Sequence, residues 1–453
     1  MRNIKTLILL HVVLFSAGIT SAQVELIKTD NGHTLYFLPL PESKNVSIQA
    51  TWLTNWATTE GRNQAVPHVA AQLMLAGGAG DWGPAELTEK FQDLQASASI
   101  VNQVESIRGV LTSPAKEIDE VVAIANTVLG KPSFDERWLK RLGAALTNNQ
   151  KQLNSTLAKI AMDITRYSLF RDQALIESQS LMNVDSVAMV TQAEVALWHE
   201  ETITQSGLTL VITGPLSPQK AGQLADRLLL GLPKGQVRQK VVPEIDFTAK
   251  TILLHDPKRS KSLLGFVGAL PPTSEGFEFE DLVASILLGQ GENSELFKAI
   301  RTELGASYSF SSMPFNFLRD VRVLQMFGEV ETSKLAEAHQ VAVHTYEAFI
   351  NKKSHEQAEN LIKAIAPNIE RNRNNAPVMA GAIMESLLDG HDPSRALNLA
   401  QELAAVSSDS IVSRLQVAYP KIDELITIVV SPDKNFIPGA CIISAPEEAA
   451  YCL

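Results

Sequence analysis

"HTLYFLPLP" (33–41), followed closely by the alternating "VSIQATWL" (46–53), is a stretch that this chain writes twice. In the second half "KTILLHDP" (250–257) precedes "SLLGFVGALPP" (262–272), at an offset of about 217 residues. Each pair is rich in β-branched and aromatic residues and bounded by Pro, Gly or Asp, which predicts two β-strands joined by a turn. After each pair comes an apolar helical run ending in glycines, "VAAQLMLAGGAG" (69–80) and "LVASILLGQGEN" (282–293). The halves also close alike. "VTQAEVALWHEE" (190–201) precedes the strand "LTLVITGP" (208–215), and "VSSDSIVSRLQVAY" (406–419) precedes "LITIVVSP" (425–432). In both closings a Ser or Thr shortly before an acidic residue marks a helix start.

The repeated order of strands and helices predicts an α+β fold built by duplication. It consists of two homologous α/β-sandwich domains, each a mainly antiparallel sheet with helices packed on one face, forming a clamshell around a cleft. The first domain is expected at 23–231 and the second at 249–445, with residues 446–453 as a tail. Between the domains "LPKGQVRQKVVPEIDFT" (232–248) carries charges and two prolines without periodicity and reads as a linker.

The chain opens with a short basic region, Arg2 and Lys5, then an apolar run to residue 19 and the small residues Thr20, Ser21 and Ala22. That is the pattern of a cleaved secretory signal, residues 1–22, and it predicts export to the periplasm. No later stretch approaches the length of a membrane span. Losing Arg2 and Lys5 takes the formal net charge from -11 to -13, which argues against a nucleic-acid partner. The two cysteines, Cys441 and Cys452, are too few for a disulfide-built scaffold. They either close a small loop after export or stay as free thiols.

One helix start carries the outline of a metal site. In "AVPHVAAQLM" (65–74) His68 stands where a first ligand would, but the positions three and four further on hold Ala71 and Gln72. Elsewhere His339 and His344 lie five apart and do not share a helix face. "WHEET" (198–202) places a His beside acids that point in other directions, and "GQGENSE" (289–295) follows a helix, the wrong context for a phosphate cradle.

The duplicated layout and "HVAAQ" together resemble the pitrilysin/insulinase family of inverted zincin metallopeptidases, whose active members carry H-x-x-E-H. The resemblance covers essentially the whole mature chain. It implies that His68 matches the first zinc ligand, Ala71 replaces the general base and Gln72 replaces the second ligand. The third ligand would fall near Thr147, Asn148 or Asn149, and no Asp or Glu occurs between Glu136 and Asp163. Catalytic zinc needs three protein ligands and an open position for water, so no metal or cofactor is expected on this chain, and zinc is expected on a partner subunit. The family's second-domain segment is retained: "LLGQGENSELFKAIRTELGASYSFSS" (287–312) has Arg301, Gly305 and Tyr308 at the family's R-x-x-x-G-x-x-Y spacing. Locally, "SELFKAIRTEL" (294–304) reads as a helix with Ser294 as N-cap, Gly305 as its left-handed stop, and Tyr308 and Phe310 on one face of the following strand. In the family this Arg and Tyr reach towards peptide held near zinc, and in bacterial two-protein members they sit on the zinc-free partner. The resemblance therefore implies a non-catalytic subunit of an exported zinc peptidase, a heterodimer with a zinc-bearing homologue, with Arg301 and Tyr308 supporting peptide binding. The other reading is a stand-alone peptide-binding or scaffolding protein that keeps the fold without proteolysis.

Overall fold

The computed structural model describes residues 23–452 except Glu60 and residues 180–182 and 239–241. The segment expected to direct export, residues 1–22, lies outside the described residues.

Among the described residues twelve strands form two six-stranded sheets. The first comprises β1 (Glu25–Lys28), β2 (Thr34–Pro39), β3 (Asn45–Leu53), β4 (Ser97–Asn102), β5 (Ser106–Pro114) and β6 (Leu208–Gly214) in the order β1-β2-β6-β3-β5-β4. The second comprises β7 (Thr251–His255), β8 (Lys261–Leu270), β9 (Ser307–Leu318), β10 (Val321–Glu331), β11 (Ile426–Ser431) and β12 (Cys441–Ile443) in the order β12-β7-β11-β8-β10-β9. Read position by position, β2, β6, β3, β5 and β4 correspond to β7, β11, β8, β10 and β9. The duplication seen in the sequence is thus a duplication of sheet topology. Most pairings are antiparallel; β2–β6, β7–β11 and β7–β12 are parallel.

Two features differ from the sequence reading. The paired strands that open each half are not hairpins. β6 inserts between β2 and β3, pairing Tyr36 with Val211 on one side and Ala50 with Leu210 on the other; β11 does the same between β7 and β8. A strand from the end of each half thereby locks its beginning.

The second difference is that helices cover both faces of each sheet. One face of the first sheet packs on helices of its own half, Val66–Ala76, Ile118–Gly130, Gln192–Thr202 and Pro218–Leu228, around Val46, Ile48, Ala50 and Trp52. Its other face is covered by the helix Ala376–Leu388 from the second half, whose Met379, Ala380 and Ile383 meet Leu38 and Val211. The exchange is reciprocal. The first-half helix Leu157–Leu169 packs Leu157, Ala161 and Ile164 on Leu263, Val267, Ile426 and Ile428 of the second sheet.

On β3 the borrowed helix covers Ser47, Gln49 and Thr51, polar residues whose alternation reads as a solvent-facing stripe although all three are buried. Thr213 donates to the Ala376 carbonyl at 2.8 Å and the Gln49 amide to that of Pro377 at 3.2 Å. The middle of the expected clamshell is therefore filled by exchanged helices. What remains between the halves are clefts, one of about 490 Å³ lined by residues such as Leu53, Glu105, Phe317 and Glu385.

The chain end is packed. Cys441 and Cys452 form a disulfide with Cα atoms 5.8 Å apart. The turn Pro446–Tyr451 lies on the helix Leu157–Leu169, and Arg171 donates to the Ala450 carbonyl at 2.9 Å. Within the second half Asp281, fully buried, receives a two-pronged bond from Arg414 (2.9 and 2.9 Å) and a third from Arg322 at 2.5 Å. Those hydrogen bonds are what make a buried carboxylate tolerable. No described helix is long and apolar enough to cross a membrane.

Candidate functional site

The zinc-motif helix forms where expected, Val66–Ala76, with Pro67 in its first turn. Proline suits that position because it has no N–H to leave unpaired. Val66, Val69, Ala70, Leu73 and Met74 face the first core. Ala71 faces it too and is buried, so the place of the general base is filled by a methyl group in apolar packing. Gln72 is exposed and shows no hydrogen bond among the described residues. The helix Glu136–Asn154 packs alongside and carries Thr147, Asn148 and Asn149. The element that would bring a third ligand is therefore present, with neutral side chains.

His68 is engaged elsewhere. Its Nε2 lies 2.8 Å from the Ser178 carbonyl oxygen and 3.1 Å from Nδ2 of Asn102, at the end of β4. A carbonyl can only accept, so the shorter bond puts the proton on Nε2. Burial pushes the pKa of His68 down, with the Ser178 bond acting in the opposite sense, so the ring is neutral near pH 7. The nitrogen is a hydrogen-bond donor tying the helix to the segment Gln173–Ser178. It is not a lone pair awaiting a metal.

Arg301 and Tyr308 come together at the matching edge of the other half. The helix there is not the regular one expected over 294–304: Phe297–Glu303 wind as a π-helix, in which the Leu304 amide donates to Ala299, five residues back. Ser294 does not cap it; its hydroxyl donates back to Gly291 at 2.7 Å. Gly305 has φ 62°, the left-handed stop the sequence predicts. Lys334 donates to the Leu304 and Gly305 carbonyls and covers the helix end.

β9 then opens with a bulge. Gly328 pairs with Phe310 and Val330 with Ser307, so two steps on β10 face three on β9. Plain alternation would put Tyr308 and Phe310 on one face. The bulge turns them apart, leaving Phe310 1% exposed and Tyr308 78% exposed.

The Arg301 guanidinium sits 4.3 Å from the centre of the Tyr308 ring and 5.1 Å from that of Phe297, and donates to the Tyr308 carbonyl at 2.5 Å. Among the described residues the Tyr308 hydroxyl has no hydrogen-bond partner. The arrangement presents a fixed cation and a free phenol at the rim of the sheet. His68 lies beside β4, the edge of the first sheet, and this pair beside β9, the corresponding edge of the second. The π-helix and the bulge carried no sequence signal, because both add one residue to an otherwise regular pattern.

Residues 190–365 match the family model described as the peptidase M16 inactive domain. No curated protein matches the sequence. Among solved structures, a peptidase M16 inactive domain from Pseudomonas fluorescens superposes with a TM-score of 0.79 at 14% identity, over 91% of this chain and 98% of that one. A protease from Helicobacter pylori gives 0.75 at 13%, over 91% and 100%. The periplasmic protease PqqL from Escherichia coli gives 0.69 at 14%, over 95% of this chain and 50% of that one, so this chain spans about half of PqqL. At such identities the structural likeness is one of fold, while the matched model speaks for the sequence. The M16 match over residues 190–365 and the shared fold, with the base position filled by Ala71 and the first ligand position hydrogen-bonded to Ser178, support a degenerate member of the pitrilysin-type M16 peptidase family.

Proposed function

We propose that this chain is the non-catalytic subunit of an exported zinc peptidase, pairing with a zinc-bearing homologue and helping it to hold peptide. The observation that carries the reading is the Arg301–Tyr308 pair, prepared by a π-helix and a bulge yet pointing its phenol at no protein group. The motif in the same chain offers no ligand set of its own, so the chain supplies no catalytic zinc and the zinc belongs to the partner. Further support comes from the span of the fold: this chain corresponds to about half of PqqL, a protease with a second such half. β4 and β9 also end their sheets with one edge unpaired among the described strands, where an extended peptide adds as a further strand. Export is inferred from residues 1–22.

The test is co-expression with the M16 homologue encoded nearest to it that retains H-x-x-E-H. Affinity capture should retain that homologue, and peptide hydrolysis should require both chains. Peptide binding by this chain alone, with no homologue retained and no rate gain on mixing, would favour the stand-alone binding protein.

A further inference from the structure

We propose that Glu278, Asp389 and His391 form a site for one divalent transition-metal ion, zinc or manganese, separate from the emptied motif. One ligand atom from each residue lies within 4.8 Å of the others, and all three residues are half-buried in the fold. Glu278 opens the helix Glu278–Gly289. Asp389 caps the exchanged helix Ala376–Leu388, and His391 follows across Gly390, whose φ of 77° makes the tight turn. Glu278 is remote in sequence from Asp389 and His391, which is why the chain read as a string does not bring the three together.

The donor set is what separates this group from an ordinary patch of acids. Nε2 of His391 lies 3.1 Å from the Thr273 carbonyl oxygen. That oxygen only accepts, so Nε2 carries the hydrogen and Nδ1 keeps the lone pair, as in a metal-bound imidazole whose other nitrogen is tied to the backbone. Each carboxylate is anchored through one oxygen. Arg395 holds Oε2 of Glu278 and Arg319 holds Oδ1 of Asp389 at 2.5 Å, while Oε1 and Oδ2 have no arginine.

Each ligand thus has an outer partner that fixes its direction and one atom left over. The side chain of Asp389 is only 4% exposed, so its remaining charge is poorly served by water. The surrounding ion-pair network joins Arg108, Arg319 and Arg395 to Glu278, Glu385, Asp389 and Glu402. That network has four carboxylates to three guanidiniums, and a cation offsets the difference. One imidazole with two carboxylates suits zinc or manganese better than calcium or magnesium, which favour oxygen alone. Bound there, the ion would clamp the point where the exchanged helix returns to its own half.

The experiment uses the full chain, stripped with a chelator and titrated calorimetrically with zinc chloride and, separately, manganese chloride. The expected result is saturable binding of a single ion with a raised unfolding temperature. Affinity should fall about tenfold or more in both His391→Ala and Glu278→Gln, and be unchanged in His68→Ala. Glu278→Gln keeps an oxygen for Arg395, and circular dichroism of both variants checks that they fold. Absence of saturable binding for either ion would overturn the proposal. So would binding that persists unweakened in the folded variants, or that disappears in His68→Ala.

Discussion

The guanidinium of Arg301 is stacked 4.3 Å from the ring centre of Tyr308 while donating to the carbonyl oxygen of the same residue. One side chain therefore fixes both the ring and the backbone of the other. Arg301 is immobilised without being consumed, since its planar fork retains further donors. On the proposed function, in a complex with a zinc-bearing partner, the phenol would donate to the carbonyl oxygen of a bound peptide as negative charge develops there. Tyr308→Phe should lower turnover of the assembled pair by about 10²-fold, the low end for one oxyanion donor. Arg301→Ala should weaken peptide binding as well. Size-exclusion chromatography should show both complexes intact, and unchanged kinetics in both variants would reduce the pair to packing.

Restoring the motif should fail twice over. Ala71→Glu with Gln72→His leaves Thr147, Asn148 and Asn149 unable to complete a ligand set, so no peptidase activity is expected from the chain alone. Ala71 is also 1% exposed among Val66, Ala70 and Met74, and a carboxylate there is a charge in an apolar core. Chemical denaturation should register a loss of about 3 kcal/mol or more. A double variant as stable as the parent would mean the helix can rotate to release that position.

Four histidines, His68, His199, His339 and His355, have their pKa pushed down, in each case chiefly by burial. The unfolded chain takes up these protons near pH 6.5, the ordinary value, and the folded chain only at lower pH. The unfolded state thus binds more protons below pH 6.5, and stability falls as pH drops from there. Urea midpoints measured from pH 7.5 down to 5.5 should decrease, and less steeply in His68→Gln, which retains an N–H for Ser178. A flat profile over that window would contradict the neutral, bonded state assigned to His68.

The Cys441–Cys452 disulfide should leave no titratable thiol in denatured, unreduced protein. It closes a separation of 11 residues, so its stabilisation should not exceed ~3 kcal/mol. Because the bridged segment rests on the helix Leu157–Leu169, Cys441→Ser should expose that contact first, visible as faster amide exchange in residues 157–169. Two free thiols in the purified protein would refute the bridge.

The duplication was legible because strand runs such as "LTLVITGP" and "LITIVVSP" are rich in β-branched and aliphatic residues and bounded by Pro, and because glycines punctuate the helices at matching places. Even the double burial is visible in those runs once both faces are known to be covered. What could not be read was partner choice. Nothing local in Thr209 or Leu210 says that β6 enters between β2 and β3. The polar alternation of Ser47, Gln49 and Thr51 mimics a wet face although a distant helix covers it. At the candidate site the pairing of Arg301 with Tyr308 followed from spacing, but the outward turn of Tyr308 depends on a bulge that pattern alone does not reveal. Glu278, Asp389 and His391 were invisible because only the tertiary fold assembles them.

The exchange of helices also constrains the order in which the molecule can be completed. A chain made from its N-terminus forms the first sheet long before the helix Ala376–Leu388 exists, and meanwhile β3 presents Ser47, Gln49 and Thr51, which water can solvate. The second sheet meets the opposite situation. Its borrowed face, with Leu263, Val267, Ile426 and Ile428, is strongly apolar, but the helix Leu157–Leu169 that covers it has already been made. The face that must wait carries this polar row beside Leu38 and Val211, while the more apolar face is made only once its cover exists, so the growing chain keeps its stickiest surface for the moment when its cover is at hand.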